Sequence, residues 1–80
     1  MPNLSKHRQA PDLVALGAAI REGRLERNIS QEKLALHAEV DRSYLGRVER
    51  GDNNVAVLTL IKIANGIGLT LAELITKAGL

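Results

Sequence analysis

The fold of this chain is decided by residues 30–52, which read SQEKLALHAEVDRSYLGRVERGD. Ser30 is a residue type that caps helix N-termini, and a glutamine and a glutamate follow it in the first turn of the predicted helix. Asp41 has the same capping chemistry, and the segment that it opens stops before Gly51. The stretch therefore predicts two short helices that are joined by a tight turn.

Helical spacing of apolar residues continues on both sides of this stretch, and no segment alternates with the period of a strand. Asp12 is the predicted cap of a first helix, which ends at Asn28 because asparagine tolerates positive φ. A fourth helix is predicted over residues 55–65, and it is apolar nearly all round. Thr70 opens a fifth helix with a capping-box motif. The sequence thus predicts an all-α, compact five-helix fold.

The chain divides into an arm and one domain. Residues 1–11 contain both prolines and no periodicity, which predicts a flexible N-terminal arm. Residues 12–80 form the predicted domain, whose size and 45% hydrophobic content allow a core without cysteine. No apolar run approaches the ~18 residues of a membrane span, and the N-terminus has no signal-peptide core. We therefore expect a cytoplasmic protein with no membrane partner.

The charges of the predicted third helix are sorted by side. On a helical wheel, Leu45 and Val48 mark the buried side, and Glu49 turns toward the body of the domain. The outward side carries Ser43, Gly46, Arg47 and Arg50, with Arg42 and Tyr44 at its margins. A solvated helix face usually mixes both signs of charge, whereas this face is cationic. Because the arginine fork matches guanine O6 and N7, the face predicts a reader of the DNA major groove.

Residues 30–52 resemble the helix-turn-helix of the phage repressor/Cro family of DNA-binding proteins. The match covers most of residues 16–74, and it includes Ser30 and Gln31 at the first helix, Val40 after the turn, and Gly51 at the end. The resemblance implies a lambda-repressor-like fold and a sequence-specific transcriptional regulator. Small controller proteins of bacterial restriction–modification systems are similar in size, which favours control of such an operon.

Contacts with double-stranded DNA follow from the wheel and from the resemblance. The predicted base-contacting residues are Arg42, Ser43 and Arg47. The predicted backbone-contacting residues are Gln31, Tyr44, Arg50, Asn53 and Asn54. Gln31 sits at a helix N-terminus, whose amide groups favour anions. Tyr44 is equally compatible with a place at the edge of the core. Asn53 and Asn54 are equally compatible with a polar turn that makes no DNA contact.

Two further residues are implied to act inside the domain. The resemblance matches Arg24 and Glu49 to an internal ion pair, and the wheel independently turns Glu49 inward. We expect this pair to brace the third helix rather than to add net stability. The chain departs from the family pattern at Glu39, where the family often has glycine with positive φ. That departure allows a turn of another shape and a rotated third helix.

The fourth and fifth helices carry more apolar surface than a small domain can bury. Members of the resembled family bind two-fold DNA sites as homodimers, with half-sites about 34 Å apart. We therefore expect these helices to form the dimer interface. The predicted interface residues are Val57, Leu60, Ile61, Leu71, Leu74 and Ile75.

Other classes of function are weaker interpretations of the sequence. The alternative that we keep is an antitoxin, which would bind a protein toxin as well as DNA. His7 and His37 are far apart and there is no cysteine, so no metal or other cofactor is expected. Tyr44 is the only aromatic residue, which disfavours a stacking platform for single strands. No serine, histidine and aspartate group together, so we expect neither an enzyme nor a small-molecule substrate.

Overall fold

A computed structural model describes residues 7–80, and every regular element in that range is a helix. The five helices are α1 (Pro11–Glu26), α2 (Gln31–Ala38), α3 (Arg42–Glu49), α4 (Val57–Gly66) and α5 (Leu71–Lys77). The predicted all-α, five-helix architecture is confirmed, with α2 and α3 as the helix pair of residues 30–52.

Local chemistry sets several of the helix ends as the sequence predicts. Oγ of Ser30 accepts a hydrogen bond from the backbone N–H of Lys33 at 3.0 Å. At α5, Thr70 and Glu73 satisfy each other's backbone N–H groups in a complete capping box. Asn28 has a φ of 55°, the left-handed conformation expected after the last turn of α1.

Two predicted helix starts need correction, and a third is confirmed in position without its capping bond. Asp12 does not cap α1, because Ala10 holds the N-cap position and Pro11 is the first helical residue. Proline is suited to that place, since its φ is preset and its missing N–H would be unpaired anyway. Asp41 occupies the N-cap of α3 without making a side-chain capping bond. Helix α4 begins at Val57, two residues later than predicted.

The described part of the predicted arm folds back on the domain. Residues 7–9 form a turn, and the backbone N–H of Gln9 donates to the carbonyl oxygen of Gly51 at 2.6 Å. This turn is thus hydrogen-bonded to the domain, and Pro11 belongs to α1 rather than to the predicted arm. No local pattern indicates this contact, because the partner of Gln9 lies 42 positions away along the chain. Residues 1–6 of the predicted arm lie outside the described residues.

The core forms where α1 packs on α3 and α5, and where α2 packs on α3 and α4. Its largest fully buried side chains are Ile20, Leu34, Leu45, Ile63, Ile67 and Leu74. Helices α2 to α5 each have ten residues or fewer, so none of these four is stable without its neighbours. Among residues 7–80, no single helix is long and apolar enough to cross a membrane. Helices α4 and α5 reach that length and composition only as a pair bent by 83°.

Helices α1 and α3 touch through backbone at Gly17. A Cβ atom there would overlap the carbonyl oxygens of Val48 and Glu49, the last turn of α3. Gly51 allows a similar approach one turn further on, where its φ is 81° and a Cβ would lie 2.8 Å from Cα of Val14. The end of α3 therefore rests directly on the α1 backbone, with no side chain between them.

The turn between α2 and α3 keeps the left-handed shape that the family pattern predicts for glycine. Glu39 has φ 61° and ψ 40°, and its neighbour Val40 donates a backbone hydrogen bond back to Ala35 at 3.0 Å. The carboxylate of Glu39 lies 2.7 Å from Nζ of Lys62 on α4, and this hydrogen bond lowers the pKa of Glu39. The altered turn that Glu39 allowed is thus not formed.

Replacing Gly17 with alanine is expected to destabilise the domain by about 2 kcal/mol or more, because the added methyl group must separate two backbones. Gly46→Ala is the matched control. Its Cβ would meet the tip of the Arg50 side chain at 3.3 Å and the side-chain amide of Gln31 at an ordinary 3.8 Å, and alanine gains about 1 kcal/mol of helix propensity. Urea unfolding at one fixed protein concentration measures both changes. Equal stability of the two variants would contradict the close approach of α1 and α3.

Candidate nucleic-acid interface

Helix α3 is anchored on one side and open on the other. Leu45 and Val48 are buried in the core, while Arg42 and Ser43 are exposed at the N-terminal end of the helix. The side chain of Glu49 is only 2% exposed, so the acid is turned away from the open side as the wheel predicts. The first turn of α3 contains no acidic residue. This leaves a cationic and hydroxyl surface that can donate hydrogen bonds to nucleic acid.

Arg47 lies on the flank of this surface. Its guanidinium is 5.7 Å from the ring centroid of Tyr44, in a cation–π arrangement, and its Nε is buried without a hydrogen-bond partner among the described residues. The ring of Tyr44 packs at the edge of the core and is half-buried. Both side chains line a shallow groove with Val40, Asp41 and residues of α2 and α4. Arg47 is therefore less outward than the wheel indicates.

Gly46 does not face outward, which corrects the wheel at this position. It is buried, and a Cβ there would lie 3.3 Å from Nη1 of Arg50 and 3.8 Å from the amide group of Gln31. The wheel fails because the N-terminal turn of α2 crosses over this side of α3. The missing side chain lets Arg50 and Gln31 approach each other across the helix.

Arg24 and Glu49 form the predicted ion pair. Nε of Arg24 donates to Oε2 of Glu49 at 2.7 Å, and Nη2 donates to Oε1 at 3.1 Å, which is the two-pronged geometry of strong arginine–carboxylate pairs. Nη1 of Arg24 donates to the carbonyl oxygen of Ile29 at 3.0 Å. Gln31 completes the network, since its Nε2 donates to Oε1 of Glu49 at 2.9 Å. The network joins the end of α1, the loop after it, the start of α2 and the end of α3.

Gln31 thus has a role that the sequence did not reveal. It stands at the N-terminus of α2, where the resemblance places a phosphate contact, but its side-chain amide is already bonded to Glu49. A phosphate contact at Gln31 would use the remaining hydrogen of its side-chain amide or the backbone N–H groups in the first turn of α2. The glutamine therefore couples the predicted backbone contact to the ion pair.

The segment after α3 is polar and partly fixed. Nε of Arg50 lies 3.4 Å from Oδ2 of Asp52, and the arginine side chain stays 62% exposed. Asn54 is exposed, whereas Oδ1 of Asn53 is buried with no hydrogen-bond partner among the described residues. The pKa of Asp52 is lowered chiefly by the hydrogen bond from the Gln9 side chain. Of the predicted backbone-contacting residues here, Arg50 and Asn54 are the more accessible.

The predicted dimer surface needs a correction at two of its six residues. Leu74 is fully buried and Leu60 is 7% exposed within the protomer, so both belong to the core. Their positions on apolar helix faces do not distinguish burial in the protomer's own core from burial against a second protomer. Val57 is exposed, and Ile61, Leu71 and Ile75 are half-buried. Leu58, which the sequence interpretation omitted, is the more exposed neighbour of Val57.

Comparison with known proteins identifies the pattern of α2 and α3. A family model described as helix-turn-helix matches residues 20–74 of the chain. The chain belongs to the helix-turn-helix family.

Three relatives within this family show which regulators the chain is similar to. The control protein C.MunI of a Mycoplasma species is 37% identical over 62 residues, covering 76% of this chain and 84% of the relative. The restriction-modification controller protein C.AhdI from Aeromonas hydrophila is 43% identical, with a TM-score of 0.76 over 79% of this chain and 96% of that chain. C.Esp1396I bound to a 25 base pair operator site is 28% identical, with a TM-score of 0.73 over 84% of this chain and 92% of that chain.

These similarities make the protein a helix-turn-helix transcriptional regulator, a family of DNA-binding proteins rather than enzymes. They do not support the antitoxin alternative, since the relatives are named as control and controller proteins. The anchored helix α3 is the second helix of the motif, the one that enters the major groove in helix-turn-helix proteins.

Glu49→Gln is expected to destabilise the domain by about 3 kcal/mol, because it leaves the buried guanidinium of Arg24 without its carboxylate. It is also expected to weaken DNA binding, although Glu49 is too buried to touch DNA. Thermal unfolding and binding to a duplex below the melting temperature measure the two effects. The exposed pair of Lys77 with Glu22 provides the control, because Glu22→Gln removes a carboxylate at the surface, where little stability is lost. Unchanged fold and binding in Glu49→Gln would show that the pair does not brace α3.

Proposed function

We propose that this regulator binds double-stranded DNA as a homodimer at a two-fold symmetric operator and controls the transcription of a restriction–modification operon. The observation that carries the proposal is the cationic face of α3, where Arg42 and Ser43 are exposed and Arg47 lies on the flank. The named function of its relatives as restriction–modification controllers supports the choice of operon.

The dimensions of α3 suit the major groove. An α-helix with its side chains is about 10–12 Å across, which is close to the ~12 Å width of the major groove of B-DNA. Arg42 and Ser43 stand at the N-terminal end of the helix, and such residues contact base edges in helix-turn-helix complexes. Arg47 lies one turn further along and reaches the same groove from beside Tyr44. These three side chains supply the sequence preference in the proposed complex.

Backbone contacts supply affinity and orientation in the same proposal. Gln31 and Arg50 both lie beside Gly46, next to the N-terminal turn of α2, whose N–H groups favour a phosphate. Asn54 in the following loop is exposed and extends this row. Tyr44 keeps its predicted contact with the sugar-phosphate wall only through the exposed part of its half-buried ring. Asn53 contributes through its amide nitrogen, because its Oδ1 is buried.

The proposed homodimer uses the apolar surface that the protomer leaves open on α4 and α5. Val57 and Leu58 are 62% and 75% exposed, and no charged residue occupies the first turn of α4. Ile61, Leu71 and Ile75 extend this surface with half-buried side chains. A two-fold interface here would place the α3 helices of the two protomers, the recognition helices, opposite two half-sites. The centres of these half-sites are about 34 Å apart. Whether a bound operator represses or activates depends on its position relative to the promoter.

Selection of duplexes from a random DNA pool is expected to enrich sites with two-fold symmetry. Arg42→Ala should relax the preference at one position in each half-site and weaken binding by roughly 10- to 100-fold, the value of one good base contact. Arg21→Ala is the matched control, since Arg21 is also an exposed arginine and lies on α1 rather than α3. No enrichment with the wild-type protein would refute the proposal, and equal losses for the two variants would refute the role of Arg42.

Val57→Glu is expected to raise the dimer dissociation constant by at least about tenfold. Each protomer of the two-fold dimer would place one negative charge in the apolar interface. Analytical ultracentrifugation over a concentration series measures the change. Leu36→Glu is the control, since Leu36 is 79% exposed on α2, outside the proposed interface. A dimer that tolerates Val57→Glu and dissociates with Leu36→Glu would place the interface elsewhere.

A further inference from the structure

The N-terminal turn, residues 7–10, is docked on the end of the recognition helix by one residue. The backbone N–H of Gln9 donates to the carbonyl oxygen of Gly51, and its side-chain amide donates to the carbonyl oxygen of Arg50 at 2.8 Å. The same amide donates to Oδ1 of Asp52. Three bonds from one glutamine, across more than 40 positions of sequence, tie this turn to α3.

Gln9 holds an unfavourable backbone conformation in order to make these bonds. Its φ is 62°, in the left-handed region that non-glycine residues rarely occupy. Such strain persists only where surrounding contacts over-determine the conformation, and it occurs often at functional sites. Here the contacts place the preceding residue, Arg8, beside the C-terminal end of the DNA-facing helix.

Two arginines belong to the segments that Gln9 joins. Nε of Arg50 lies 3.4 Å from Oδ2 of Asp52, and Arg8 immediately precedes Gln9, whose side chain donates to Oδ1 of the same carboxylate. Both positive charges contribute to the low pKa of Asp52, after the larger contribution of the Gln9 hydrogen bond. Arg8 is exposed, and the side chain of Arg50 is 62% exposed. Arg8, Arg50 and Asp52 together carry a net positive charge.

Asp52 does not hold Arg50 tightly enough to compete with a ligand. The Nε–Oδ2 distance of 3.4 Å exceeds the 2.7–2.9 Å of a strong charge-assisted bond. The other carboxylate oxygen accepts from Gln9. The side chain of Gln9 therefore uses one oxygen of the Asp52 carboxylate, while Arg8 and Arg50 remain available to bind an anion.

We propose that the N-terminal turn is a second DNA-binding element, in which Arg8 and Arg50 bind the phosphodiester backbone at the edge of each half-site. Gln9 is its positioning residue. The element contacts phosphate rather than bases, because it lies beyond the last turn of the helix that faces the groove, where the strand backbone passes. This inference rests on the proposed function, since it requires α3 to face DNA.

Binding of a selected operator duplex across a range of salt concentrations tests the element. Arg8→Ala is expected to weaken binding roughly tenfold at low salt and to reduce the slope of log K against log salt by about 2 for the homodimer, one phosphate contact per protomer. The preferred sequence should not change, and a random duplex should lose affinity by the same factor. Arg21→Ala should retain the wild-type affinity.

Gln9→Ala separates positioning from simple charge. It removes no charge, yet it is expected to reproduce most of the loss seen with Arg8→Ala, and the double variant should lose little more than either alone. Circular dichroism and thermal unfolding of Arg8→Ala should match the wild type, since Arg8 is exposed.

Two negative results have different meanings. If the wild type binds its operator and Arg8→Ala has the same affinity and salt slope, the turn is a purely structural clasp and the inference is wrong. If the wild type binds no duplex at all, the proposed function itself fails, and this inference fails with it.

Discussion

Arg24 and Glu49 meet where the end of α1, the start of α2 and the end of α3 converge. The carboxylate accepts three hydrogen bonds, two from Arg24 and one from Gln31, so nearly all of its hydrogen-bonding capacity is used inside the protein. A buried pair of this kind adds little net stability, because removing both charges from water costs nearly as much as their attraction returns. Its value is geometric: it fixes the last turn of α3 relative to the end of α1.

Much of this architecture follows from short-range rules that are legible in the sequence. Ser30 and Thr70 cap helices through bonds to residues three positions away, and Asn28 takes a left-handed conformation at the end of α1. The left-handed conformation of Glu39 follows from the family pattern and not from its own residue type. The side to which Glu49 points follows from helical periodicity alone. The identity of its partner, Arg24, came only from the resemblance to a known family. Periodicity gives the direction of a side chain but not the residue that it meets.

The incorrect predictions share one physical cause. Neighbouring elements, and not the helix itself, decide whether a residue on a helix face is exposed or buried. Gly46 has the wheel position of a solvent-facing residue, but the start of α2 covers it. Leu60 and Leu74 share apolar faces with more exposed residues, and the protomer's own core covers them. Gln9 bonds across 42 positions to Gly51, and no local pattern announces such a contact. Tertiary packing, rather than helical spacing, decides which of these residues are buried or paired.

The backbone contact at Gly17 has a consequence for how this protein can evolve. Because no side chain separates α1 from the end of α3, their spacing does not depend on the size of any neighbouring residue. Substitutions on the opposite side of α3, at Arg42 or Ser43, touch none of the packed surfaces. In the complex that we propose, a change of base preference at these two positions therefore requires no compensating change in the interior. Arg47 differs, because its side chain is half-buried beside Tyr44 and a substitution there would also alter packing.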